Sequence, residues 1–521
     1  MKQKYFIFFL LIFYFFFQLS TIDYGTTINN LYKNIESDDT LLITDEILNK
    51  EKIIKTNSKI EKDKKNFFRF KLYSIEADEM LSIMALSKIA VSKKIDPHYY
   101  QYGGAFLYPL GVYYFILNEL NLIKYNNFQE LLKDTDKVDK IYSYGRLFVL
   151  LSFITSAYIL YLTFNLITSQ NLSLKLTILY LFVPSSIMFS QIIKPHWYSL
   201  IWINLIIYNL IKLKIKNSEF LKRIIYISIF MGLSIGSALY NIVFVIVTYI
   251  FIFFFLNKNY FKISNILISF FFLIFSFVIT NPAILTNGTS VIIEYSNLIN
   301  WFKGNLNSTK VLNFYKNSLI TGFGIANIIF LIYLIFLRKN YKYFNSLFLI
   351  LIIPLILISI ITGQQSNWHI NFRYLSYFLP TLLIFISFFI NDNKTLAVNV
   401  VIFLTIIQMF PLKLAYLDEN NNKYSTRLKA SAWIKENINS NDRICNEEKS
   451  LAPFNMPPIN FNKFNIVNKK CYWLILTIRN TNDYKKIQEK NIIMEFKPRL
   501  LLNFPRLVFS HINPVIVIIK T

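Results

Sequence analysis

Long apolar runs alternate with short polar connections over most of this chain, and their spacing predicts about eleven membrane-spanning helices. The first run covers 6–17, behind Lys2 and Lys4. No small-residue cleavage site follows Gln18-Leu19-Ser20, so it is read as an uncleaved first helix rather than a signal peptide. Further runs fall near 147–168, 172–189, 197–213, 224–239, 241–257, 263–280, 317–337, 345–362, 374–390 and 396–412. Backbone polar groups in hydrocarbon must be satisfied within the segment, which makes these runs helices. Between the first two runs lies a long polar stretch, 21–144. It contains one shorter apolar and aromatic piece at 105–120, expected to lie as a helix in the interface. From Leu417 the pattern changes. The segment 425–436 places Ala430, Trp433 and Ile434 on one helical face, while 472–478 and 514–519 read as strands and Pro453, Pro457 and Pro458 mark loops. The expected architecture is an all-α polytopic membrane protein over 1–416, with a small α/β domain at 417–521.

Composition agrees. Of 521 residues, 54% are hydrophobic and 16% charged, against about 25% charged in a soluble domain. The formal net charge of +25 raises the question of nucleic acid, but no soluble basic face gathers the lysines. They concentrate instead in alternate connections: Lys214, Lys216, Lys222 and Arg223; Lys258 and Lys262; Arg338, Lys339 and Lys342. The intervening connections hold Lys194 alone, a loop near 282–316, and Arg373 alone. By the positive-inside rule the amino end is cytoplasmic, and an odd number of spans puts the 21–144 loop and the tail together on the outer side. The two cysteines, Cys445 and Cys471, both lie in the tail; on an oxidising face they could pair, and two unpaired core thiols are the alternative. There is no internal repeat, P-loop or metal-ligand Cys/His spacing.

Candidate chemistry clusters in the outer connections. The first loop reads Glu76-Ala77-Asp78-Glu79, then Asp96-Pro97-His98-Tyr99-Tyr100-Gln101-Tyr102 ahead of the aromatic helix. Acids at a helix start are favoured by the helix dipole whatever their function, and that bland reading stands beside a catalytic one. Cations and aromatics flank other spans: Arg146; Lys194-Pro195-His196-Trp197; and Asn367-Trp368-His369-Ile370-Asn371-Phe372-Arg373-Tyr374. Interfacial snorkelling accounts for isolated cations, and solvation for loop histidines. A phosphate on a lipid carrier would need cations at that depth.

Taken in order, these pieces resemble the GT-C membrane glycosyltransferases, closest to glycosyltransferase family 39 and its bacterial relatives, the protein O-mannosyltransferases and lipid A aminoarabinose transferases. The resemblance rests on Asp78-Glu79 with Asp96-Pro97 and the Tyr-rich stretch, Tyr144-Gly145-Arg146-Leu147 and the segment 190–197. Asn281-Pro282, Arg373-Tyr374 and Ala432-Trp433-Ile434 complete it. Relatives often carry Asp after the Lys-Pro pair, where this chain has His196. The resemblance implies a multi-pass protein of a bacterial plasma membrane that transfers a sugar from a polyprenyl-phosphate carrier to a glycan, lipid or protein acceptor. It implies Asp78 as base with Glu79 in support, and Arg373, Lys194 and Arg146 on the donor phosphate. Asp96, Tyr102, His196 and His369 would then bind substrate, and a divalent cation is the one candidate cofactor. Two rival classes stay open. A lipid-linked polysaccharide polymerase or ligase also has many spans and cationic outer loops. A transporter usually carries ionisable residues inside its spans, which are nearly free of them here.

Overall fold

The computed structural model describes residues 2–26, 72–76, 78–124, 135–215, 219–252, 262–302, 322, 324, 329, 332, 373, 376–388, 390, 395–446, 456–459, 464–467, 470–478, 487, 491–499 and 512–521. The described chain is mostly helical. Its main helices are α1 (Lys2–Leu19), α2 (Glu79–Ser92), α3 (Gly104–Glu119), α4 (Thr135–Phe164), α5 (Gln170–Phe182), α6 (Leu200–Ile215), α7 (Phe220–Ser237), α8 (Ile263–Thr280), α9 (Gly288–Phe302), α10 (Thr395–Glu419) and α11 (Thr426–Asn437). Among the described residues four helices are long and apolar enough to cross a bilayer: those covering Asp136–Phe164, Phe220–Ser237, Ile263–Thr280 and Leu396–Glu419.

Several boundaries differ from the sequence expectation, each for a local reason. The expected span 172–189 breaks at Val183, because Pro184 has no N–H to continue the ladder and forces its predecessor out of the helical region; Val183 sits at φ −63, ψ 146, and a new short helix runs Pro184–Phe189. The second span begins at Thr135, since the polar turns carrying Asp136 and Lys140 are helical too. The loop expected near 282–316 opens with two helices, Ala283–Thr286 and α9. The span expected at 345–362 lies outside the described residues, and so does that at 317–337 apart from 322, 324, 329 and 332.

The chain forms two compact units. One comprises Met1–Leu19, Ser82–Tyr113 and Leu147–Phe410. Within it, polar side chains stitch helices together where no water can serve them. Gln18 donates to Tyr14, to the Ser190 hydroxyl and to the Ile187 carbonyl at 2.9–3.1 Å, fixing α1 against Pro184–Phe189. Asn204 donates to the Ser156 hydroxyl, which meets Tyr180 at 2.7 Å. Helices α7 and α8 pack closely through a small-residue seam, with Gly232 against Ser276 and a Ser228–Ser269 hydrogen bond of 2.6 Å.

The other unit comprises Ser20–Leu81, Tyr114–Arg146 and Pro411–Thr521. Its tail is α11 on a mixed sheet of order β2-β1-β3-β5-β4, with β1 Arg443–Asn446, β2 Asn465–Ile466, β3 Trp473–Ile478, β4 Ile492–Phe496 and β5 Val515–Lys520. Strand β1 runs parallel to β2 and β3, while β5 is antiparallel to β3 and β4. Ser425 caps α11 by accepting from the Leu428 N–H, and Ala430 and Ile434 pack on Ile444, Ile475, Ile516 and Ile518. Ile75, from the first loop, joins this core. Cys445 and Cys471 form a disulfide with a Cα–Cα distance of 5.6 Å.

Candidate active site

The acidic turn is built from its neighbours outward. The Glu79 N–H donates to the Glu76 carbonyl at 2.9 Å, closing the turn that starts α2. Ser74 links both ends of it, donating to the Glu79 carboxylate at 2.5 Å while accepting from the Glu76 N–H at 3.1 Å. Arg146 grips Glu79 with two parallel bonds of 2.9 and 2.7 Å, and both side chains are 0% exposed. Its remaining nitrogen donates to the Ile22 and Tyr24 carbonyls at 3.0 and 2.6 Å, and the guanidinium lies 3.9 Å over the Tyr24 ring. Burial holds the Tyr24 phenol far above its usual pKa, so it is neutral there. Tyr24 in turn meets Tyr416 edge-on at 4.6 Å.

The segment carrying Tyr24 fits because of Gly25. It sits at φ +63, and a Cβ there would stand 2.1 Å from the Ile75 side chain. Only glycine allows the approach that seats Ile75, and with it the turn at 74–79. On this frame Asp78 is half-buried, directly ahead of α2, with its carbonyl accepting from the Leu81 N–H. Glu79 is therefore committed to a buried ion pair, whereas Asp78 occupies the partly accessible position at the helix start. Arg146, expected on the donor phosphate, makes four hydrogen bonds within this frame.

The other predicted residues lie in the first-named unit. Asp96 folds its own loop: it accepts from the His98 N–H at 2.9 Å, the Tyr100 hydroxyl at 3.0 Å and Asn287 at 3.2 Å. Burial raises its pKa, but these donors outweigh burial and hold the carboxyl below its usual value. Burial and the Asp96 carboxylate push the Tyr100 phenol up to about 12. Glu294 accepts the Tyr100 and Gln101 N–H groups at 2.9 and 3.1 Å, and Asn281 accepts from the Gly104 N–H at 2.9 Å. The structure thus ties Asp96 to Asn287, the Tyr-rich stretch to Glu294 and Gly104 to Asn281. It also brings Tyr102 to His196, whose ring stacks on Tyr240 at 5.1 Å between centroids. Lys194 is 3% exposed at the cap of the short helix Pro195–Tyr198, and Arg373 is half-buried. His369 lies outside the described residues.

Sequence reasoning passed over Glu294, Asn287, Tyr240 and Lys413. Only Lys413 carried a visible signal, a lysine directly after the apolar run 396–412. Among the described residues no group of three or more His, Cys, Asp or Glu gathers as a metal site.

No protein family matches the chain, and no curated protein does. Among solved structures it is similar to ArnT from Cupriavidus metallidurans bound to undecaprenyl phosphate, with 10% identity over 88% of this chain and 97% of that one, and a TM-score of 0.45. A likeness this slight assigns no activity; what the site can do rests on its own geometry.

Proposed function

We propose that the chain is a membrane glycosyltransferase that moves a sugar from a polyprenyl-phosphate carrier to an acceptor hydroxyl on the extracytoplasmic face. The observation that supports this reading is the clamped acidic turn. A buried bidentate Arg146–Glu79 pair fixes the neighbour of a half-buried aspartate at a helix start, inside a chain with apolar helices of bilayer length. Such support is what a positioned catalytic carboxylate requires.

In the step, the acceptor oxygen attacks the anomeric carbon while the bond from that carbon to the phosphate oxygen breaks. The electron pair of the broken bond leaves with the phosphate, and Asp78 takes the acceptor proton. The transition state is oxocarbenium-like, so a carboxylate nearby also stabilises its charge. The lipid phosphate is a tolerable leaving group, and cations can replace a general acid. Lys194 and Arg373 are assigned to that phosphate, Tyr102 and His196 to substrate, and Asp96 to shaping the loop that carries Tyr102. Arg146 is assigned to holding Glu79, because its donors already serve the turn. The tail would cover the site or select a glycan, lipid or protein acceptor.

The test is Asp78→Asn, which keeps the shape and loses the charge. Sugar transfer in membranes matched for protein level should fall by about 10²–10⁴, the usual worth of general-base help. Asn caps a helix about as well as Asp, so near-normal transfer would mean that Asp78 is only a helix-start residue.

A further inference from the structure

The tail carries a covalent tie that the transfer step does not use. Strand β1 is four residues long and its outer neighbour β2 only two, so few ladder bonds hold this side of the sheet. The Cys445–Cys471 disulfide links β1 to the segment that leads into β3, across a sequence separation of 26. Such a link acts chiefly by constraining the open chain. It lies where Ile444 pairs with Trp473 and Cys445 with Leu474.

Ile444 and Trp473 belong to one buried cluster with Ile475, Ile516 and Ile518, and Ile75 of the first loop is 1% exposed in that same cluster. The chain neighbours of Ile75 are Ser74 and Glu76, which close the turn ahead of α2 through their bonds with Glu79. The disulfide, the Ile75 socket and the Asp78 turn thus follow one another within one compact unit. Cys471 is the more reachable sulfur. It is half-buried between exposed Lys470 and Tyr472, whereas Cys445 is 7% exposed.

We propose that the tail disulfide is a redox lock on the acidic turn, with the oxidised tail as the active form. A dithiol reductant attacks at Cys471, and its second thiol resolves the mixed disulfide. Two electrons and two protons pass to Cys445 and Cys471 as the reductant closes its own disulfide. With the tie open, β1 no longer holds Ile444 in the cluster, Ile75 loses its packing, and Asp78 loses its fixed position. The effect on sugar transfer rests on the glycosyltransferase reading above; the coupling of disulfide to turn does not.

The full chain in nanodiscs is compared oxidised and after reduction with dithiothreitol, with free thiols counted. The Glu79 and Leu81 amides, which bond the Glu76 and Asp78 carbonyls, should lose protection from hydrogen exchange on reduction, while those of α8 keep theirs. Sugar transfer should fall by about tenfold to a hundredfold, the scale of a misplaced catalytic group. The double variant Cys445→Ser, Cys471→Ser should match the reduced wild type. Ile75→Ala should lose protection without reductant, and reduction should then change it no further. Ile75→Val, which keeps most of the contact, should follow wild type. Unchanged protection of Glu79 and Leu81 after full reduction overturns the proposal. An equal loss on reduction in wild type and Ile75→Ala overturns it too, since the effect would bypass Ile75. Loss of α8 protection along with the turn also overturns it, because the tie would then hold the whole fold. A turn that loosens on reduction, in a chain that transfers no sugar when oxidised, supports the lock and sinks the glycosyltransferase reading.

Discussion

Arg146 shows how one side chain decides the meaning of its neighbours. Its charge and its place near the start of a span are legible in the sequence, and they suggest a phosphate ligand. Its partner is not legible, because Glu79 lies 67 positions away and only the path of the chain brings them together. Once paired, Glu79 is tied into the turn through Arg146 and Ser74. Removing one member of a buried pair leaves an uncompensated charge, which typically costs about 3–5 kcal/mol. Arg146→Met should therefore lower the melting temperature of the detergent-purified protein sharply. Arg146→Lys should recover only part of it, since an ammonium cannot reproduce the fork. The double variant Arg146→Met, Glu79→Met should melt above Arg146→Met alone because no orphan charge remains, yet transfer should stay impaired. A double variant no more stable than the single one would mean that the pair does not hold the turn.

The elements were readable where one period dominated. Helix α8 begins and ends where the apolar run predicts, and α11 starts one residue after the expected start at 425. The break at Pro184 was available in the sequence, but a continuous apolar run concealed it. Strands β1, β2 and β4 escaped because they are short and lack a clean alternation; β1 is Arg443-Ile444-Cys445-Asn446. Close backbone approach is likewise invisible to a pattern of apolar and polar positions. The Gly103 N–H donates to the Ser237 carbonyl at 3.1 Å at the end of α7, and Tyr102 bridges Ala238. A Cβ on Gly103 would stand 1.8 Å from the Gly236 carbonyl oxygen, and one on Gly104 would stand 1.9 Å from that of Thr280. Gly103→Ala and Gly104→Ala should each destabilise the protein by at least the ~1–3 kcal/mol of an overpacked site. Gly288→Ala, where a Cβ meets nothing within 4 Å, should be tolerated. Equal thermal stability of Gly104→Ala and Gly288→Ala would show that this junction is not tight.

Across the chain, the clearest physical statement is the apolar surface. Helix α8 buries Ser269 and Ser276 while exposing Leu267, Phe271 and Ile279 at 62–63%. An arrangement with polar atoms inside and aromatics outside suits lipid and would aggregate in water. The hydrophobic pattern anticipated that much, along with a small α/β tail. It did not anticipate that Ile75 of the first loop sits in the tail's core, two residues before the Ala77-Asp78 step, so that folding of the tail bears on the acidic turn. The central claim is sugar transfer from a lipid phosphate, and the most direct measurement follows both products of one turnover. Purified protein is given a polyprenyl-phosphate sugar labelled in the sugar, in membranes containing acceptor. The account predicts that label enters the acceptor in step with release of free polyprenyl phosphate, one for one, and that Asp78→Asn stops both. Label that stays on the lipid, or polyprenyl phosphate released at the same rate by Asp78→Asn, would contradict it.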